Sequence, residues 1–146
     1  MCVQGDFMSD IHYSIREVFW DSVEPTGIEE YNEAFLADLR LQLKEGNLDT
    51  HILLTPKRFS GKENFWGCFE NSKKTTDAET ENYEYFTAAM LHLARRCKDC
   101  ENVIGFLYPD FEQDWELLKD SQESLKEDFA SAFQKKHKHY IFKECN

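Results

Sequence analysis

The pattern that most narrows the fold of this chain is a change of hydrophobic period that recurs along it. Short apolar runs alternate with longer stretches whose apolar residues fall three and four apart. "SIREVFW" at 14–20 is β-branched and aromatic, and "DSVEPTG" follows, where Pro25 and Gly27 force a turn. Ile28, Tyr31, Phe35, Leu39 and Leu43 then mark one apolar helix face. Thr26 and Glu29 have capping-box spacing at its start, and Gly46 and Asn47 are suitable left-handed stop residues. "THILLT" at 50–55 reads as a buried strand ended by Pro56. A second helix carries Phe86, Ala89, Met90, Leu93 and Cys97 on one face, with Thr76 and Glu79 as its capping box. "NVIGFLY" is a third strand. Leu118, Leu125, Phe129 and Phe133 belong to a third helix, and "HYIFKE" at 139–144 is the last strand.

The order is β-α-β-α-β-α-β. Apolar strands joined by helices require a parallel sheet, because a crossover helix returns the chain to the same end of the sheet each time. The expected fold class is therefore α/β, built of parallel βαβαβαβ units as a partial (β/α) barrel, with a small open doubly wound sheet as the alternative. At 146 residues the chain is one domain over 12–146 with a tail at 1–11, and it is short for an eight-fold barrel.

Composition excludes several functions. A net charge of −11 opposes a phosphate backbone, so nucleic acid is not an expected partner. No apolar run approaches the roughly 20 residues needed to span a bilayer. "MCVQGDFMSD" lacks the charged-then-apolar pattern of a secretory signal, so the expected location is cytoplasmic. Five scattered cysteines fit reduced thiols. "CKDC" (Cys97, Cys100) has redox spacing but ends a helix, whereas a reactive pair sits at a helix N-terminus. No second close ligand pair joins Cys97 and Cys100 to His92 or Cys68, and His12, His51 and His92 share no metal spacing, so no metal is expected. No phosphate-cradling glycine loop is present, and no cofactor is expected. "KKHKH" at 135–139 suits the negative end of a helix dipole.

In parallel α/β folds ligands bind at the carboxyl ends of the strands. Those ends deliver Trp20, Asp21 and Glu24 from the first strand, and Lys57 and Arg58 from the second. The 56–75 connection adds Glu63 and Trp66, with Phe59, Phe65 and Phe69 beside them. The third strand delivers Tyr108, Asp110, Glu112 and Asp114, and the fourth Lys143 and Glu144. Charged groups beside flat aromatics suit a sugar, whose ring stacks while its hydroxyls bond to charges. Trp20, Lys57, Trp66, Tyr108 and Asp110 are the candidate substrate-binding residues.

"SIREVFWDSVEPTGIEEYNEAFLADLRLQL" resembles the second strand and helix of glycoside hydrolase family 5, the cellulase-like barrels of clan A. Arg16, Trp20, Glu24, Pro25, Tyr31, Asn32, Glu33 and Phe35 fall on that pattern. "HILLTPKRFSG" is similar to the family's third strand and loop. "ENYEYFTAAMLHLARRCKDCENVIGFLYPD" is similar to its third helix and fourth strand, and "LKEDFASAFQKKHKHYIFKE" to the next helix and fifth strand. The likeness covers 13–144 in order.

The resemblance implies a retaining glycosidase scaffold, which uses two carboxylates about 5 Å apart. Its acid/base slot at the fourth strand's end falls on Phe111, with Asp110 in place of the family's Asn. Glu112 is the acid/base candidate but stands one residue late, which on a strand points it to the other face. Arg16 matches the residue that supports the nucleophile, while the nucleophile itself belongs to the family's seventh strand and has no counterpart here. Pro56 and Lys57 occupy the area where many members have His. The expectation is thus a truncated or catalytically incomplete carbohydrate-binding relative, taking an oligosaccharide and showing no appreciable glycosidase activity alone. Open parallel edges also suggest a homo-oligomer. The alternative is an acidic protein-interaction or inhibitor module without enzymatic activity. The 56–75 loop discriminates: exposed aromatics favour a groove, buried ones a core cover.

Overall fold

A computed structural model of the chain describes residues 13–46, 50–61, 65–68 and 74–144. The expected tail at 1–11, His12, Asn47, Glu63 and Phe69 lie outside the described residues. Strand β1 (Tyr13–Phe19) leads into a single turn α1 (Trp20–Val23), and helix α2 (Glu33–Glu45) follows. Next come β2 (His51–Lys57), α3 (Thr76–Arg96) and β3 (Val103–Leu107). A 3-10 turn (Glu116–Ser121), α4 (Gln122–Gln134) and β4 (Ile141–Lys143) complete the order. The four strands lie side by side in chain order and all pairs are parallel. Among the described residues the sheet is open, with β1 and β4 each paired on one side. The chain is thus α/β with a parallel four-stranded sheet, which does not close into a barrel among the described residues.

Strand parity divides the sheet into two faces. Val18, Leu54 and Phe106 join Leu36, Leu39 and Leu43 of α2, Phe86, Met90 and Leu93 of α3, and Phe129 and Phe133 of α4 in one core. The helix positions expected from periodicity therefore face inward, with one exception: Ile28 is exposed. Leu53 and Leu107, of opposite parity, are buried but stand outside this cluster. A bulge at Ile104 sets the register, since Ile52 pairs with Val103 whereas Leu53 pairs with Gly105.

Four local expectations are corrected. Helix α2 is capped not at Thr26 but at Asn32, whose Oδ1 accepts from Phe35 N at 3.0 Å. Thr26 instead donates to Glu30, and Glu29 takes a left-handed φ of 63°. Helix α3 is capped by Thr75, which accepts from Ala78 N at 3.1 Å, because the Glu79 carboxylate is bound elsewhere. Gly46 ends α2 in extended backbone, not left-handed. Pro56 continues β2 opposite Val18. The last pair with β3 is Leu54–Phe106, so Pro56 lies where β2 has a neighbour on one side only and a proline is tolerated.

Gly105 is the tightest point of the sheet. A Cβ there would lie 1.9 Å from Ile141 O, so the β3–β4 pair can form only over glycine. Gly105→Ala should lower stability by about 3 kcal/mol or more, beyond ordinary overpacking because the obstacle is backbone. Urea unfolding followed by far-UV circular dichroism measures this, and an unchanged midpoint would contradict the tight β3–β4 contact.

Candidate functional site at the strand tips

The carboxyl ends of the strands open onto a cleft of about 370 Å³. Alternation along the strands supplies its floor. Val18 and Leu54 turn to the helices, so Glu17, Thr55 and Lys57 turn to the cleft. The segment after β3 forms one wall with Tyr108, Asp110 and Glu112, and α4 supplies Gln122 and Lys126, four residues apart on one helix face. Glu144 closes the far side.

Each charged group has a defined setting. Lys57 Nζ lies 3.7 Å from Asp110 Oδ2, a loose pair with both side chains partly exposed. The other Asp110 oxygen accepts from the backbone N–H groups of Glu112 (2.9 Å) and Gln113 (3.0 Å), which folds the wall into a tight turn. Lys126 Nζ binds Glu144 at 2.7 Å and sits 5.9 Å from the centroid of the Tyr108 ring. Burial, then the negative charges of Glu144 and Glu127, push the Tyr108 phenol up, so at neutral pH it is a protonated donor. Glu112 is 69 % exposed and held by Lys119 at 2.9 Å.

Four of the sequence-predicted residues, Lys57, Tyr108, Asp110 and Glu112, therefore meet in one cleft. The other three do not. Trp20 is fully buried, packed edge-on against Phe65, Trp66 and Phe86, with its indole N–H donated to Glu24 at 2.7 Å. It has no ring face open to a ligand. Trp66 is half-buried over the same core and donates to Glu24 O at 2.7 Å. Arg16 points to the helix side, where it donates to Gln42 of α2 at 3.1 Å, and it does not line the cleft. Glu17, Thr55 and Lys126 were not singled out by sequence reasoning; the period-two pattern of β1 and β2 contains the signal for the first two.

The remaining rim charges are structural. Asp21 is buried and accepts from Ser60 Oγ at 2.6 Å. Glu24 accepts from Trp20 and from Glu29 N, yet its burial outweighs these bonds and pushes its carboxyl up. Arg58 lies in the core, making a two-pronged pair with Glu79 at 2.7 and 2.5 Å. The same guanidinium donates to Asp114 O (2.8 Å) and Gly67 O (2.9 Å), and it stacks 4.0 Å from the Trp115 ring centroid. Asp114 accepts from Arg58 N at 3.1 Å, and burial pushes its carboxyl up.

Of the described aromatics after β2, Phe65 is buried, Trp66 is half-buried against it and Phe59 is exposed at 37 %. The Cys97 thiol is buried and pushed up to about 12, the reverse of a reactive thiolate. Among the described residues no three His, Cys, Asp or Glu side chains are grouped to hold a metal, and no helix is long and apolar enough to cross a membrane.

The chain matches no protein-family model, no curated protein and no solved structure. Trp66→Ala should lower stability by about 2–3 kcal/mol, somewhat under the value for a fully buried Trp, and leave the cleft residues unmoved. Thermal unfolding and two-dimensional NMR test both parts; a melting temperature equal to that of the parent would place Trp66 on the surface.

Proposed function

We propose that this chain is a carbohydrate-binding relative of the cellulase-like barrels, a sector of such a barrel that binds an oligosaccharide without cleaving it. The observation that carries the reading is the convergence of sequential parallel strand ends on one cleft shared by Tyr108, two lysines and several carboxylates. Lys57, Lys126, Tyr108 and Gln122 offer donors, while Glu17, Asp110 and Glu144 offer acceptors. Sugar hydroxyls use both kinds, and a cleft with both at close spacing can orient a pyranose ring. Tyr108 is stacked on Phe142, with ring centroids 5.9 Å apart, which holds its ring fixed at the rim.

Catalysis is absent from this reading for a chemical reason. A general acid needs a carboxyl kept protonated near neutral pH by a dry environment. Glu112 is exposed and neutralised by Lys119, so it lacks that environment. Asp110 is committed to its turn and to Lys57.

NMR titration of the chain with cello- and manno-oligosaccharides tests the proposal. Shifts should be confined to β-strand tips and residues 108–112, with dissociation constants of about 0.1–10 mM. Tyr108→Ala should weaken binding about tenfold, the loss of roughly 1.4 kcal/mol of ring contact. No shifts with any neutral oligosaccharide, or glycoside hydrolysis abolished by Glu112→Gln, would overturn it.

A further inference from the structure

The buried carboxylate of Glu24 belongs to a second concave site, whose lining residues are distinct from those of the strand-tip cleft. A space of about 240 Å³ lies between helix α3 and the segment joining α1 to α2. Glu24, Ile28, Glu29 and Tyr31 line it from the segment, and Tyr85 and Ala88 line it from α3. Two phenol rings and two aliphatic groups thus form its walls. Among the described residues, its charged members are both carboxylates.

These groups are held from behind. Tyr31 is stacked on His92 with ring centroids 3.9 Å apart, and His92 meets Glu33 at 2.9 Å. Tyr85 packs on Trp66 at 5.9 Å, and its hydroxyl donates to Glu81 at 3.0 Å. The Trp20 indole N–H and the Glu29 N–H bind different oxygens of Glu24. Glu29 takes up its position with the left-handed φ of 63°. That conformation is costly for a residue with a side chain, and it persists where the surroundings over-determine it, often at ligand sites. Here it sets an exposed carboxylate beside a space that already has a buried one.

Two carboxylates beside aromatic rings make the space electronegative. Tyr31 registers this: burial pushes its phenol up first, then the charges of Glu24 and Glu29 do, while Arg95 acts in the opposite sense. An anion would be repelled. A neutral ligand would cover Glu24 without answering its charge. A small, strongly hydrated cation would give up water for aliphatic and aromatic walls. An alkylated ammonium ion is weakly hydrated, lays its methyl groups on the rings and brings its charge near both carboxylates. Its charge also offsets the burial that pushes the Glu24 carboxyl up.

We propose that this pocket binds an alkylated ammonium ion, with Tyr31 and Tyr85 against its methyl groups and Glu24 and Glu29 balancing its charge. Free choline and the side chain of a trimethylated lysine both carry that head group.

NMR titration of the whole chain with choline tests the proposal. The comparison is choline's neutral isostere, with a tert-butyl group in place of trimethylammonium. Choline should shift backbone amides within 24–31 and 85–88 with a Kd of about 0.1–10 mM, and the isostere should bind about tenfold more weakly or worse. Tyr85→Ala removes a half-buried ring and Glu29→Gln an exposed charge. Circular dichroism should therefore show the parent fold in both, while choline affinity falls about threefold or more in each. A short peptide with one trimethyl-lysine separates the two sources. Tighter binding than choline assigns the pocket to a partner's modified side chain, and equal or weaker binding to a free small cation. No binding of either cation, equal binding of the isostere, or unchanged affinity in either variant overturns the proposal.

Discussion

The Arg58–Glu79 ion pair is the constraint on which the rest of the structure depends. Both side chains are buried, and isolating either charge there would cost several kcal/mol. The pair is tolerated because its geometry is two-pronged and the second N–H of each terminal nitrogen reaches a carbonyl, that of Asp114 or Gly67, which leaves Nε alone without a partner among the described residues. Three segments are fixed by this one guanidinium: the loop after β2, the first turns of α3, and the loop after β3. Asn82 adds a second donor to Gly67 O at 2.9 Å. A Cβ on Gly67 would lie 2.6 Å from the Trp20 ring, so the loop's close approach and the pair's geometry require each other. The segment that continues the cleft wall from Glu112 to Asp114 is tied to this anchor.

The sheet contributes the other half of the geometry. Sequential parallel order brings all carboxyl ends to one pole, the bulge at Ile104 shifts register, and Gly105 lets β4 approach. With α2, α3 and α4 packed on one face, the opposite face keeps an apolar row below and a polar row above. That layering separates the cleft from the core, and it explains why neighbouring residues such as Glu17 and Val18 have unrelated surroundings.

Much of the fold was legible in the sequence because it rests on periodicity. Phe86, Met90 and Leu93, or Phe129 and Phe133, announce their faces through local spacing alone. Local capping patterns were less informative. Thr76 and Glu79 have the right spacing, yet Glu79 is drawn to a guanidinium 21 residues away, and the cap passes to Thr75. The candidate site was half legible. Tyr108, Asp110 and Glu112 follow a strand directly and reach the cleft as expected. Trp20 and Arg58 occupy equivalent places in the chain but are internal, and Asp114 is half-buried, because partners far away in sequence neutralise or cover them. Asp114 meets Arg58 across 56 residues and Asp21 meets Ser60 across 39. Such pairings decide which charges at a strand tip are free for a ligand, and no local pattern records them.

The most direct test of this account is a double-mutant cycle on the buried pair, read by urea unfolding. Arg58→Met and Glu79→Met should each lower stability by about 3–5 kcal/mol, since each strands the opposite charge in the core. The double variant should be less damaged than the sum by about 2 kcal/mol or more, a coupling characteristic of groups in one network. Additive effects, or single losses below about 0.5 kcal/mol as at ordinary surface positions, would contradict the anchoring role assigned to Arg58 and with it the fixed geometry of the cleft.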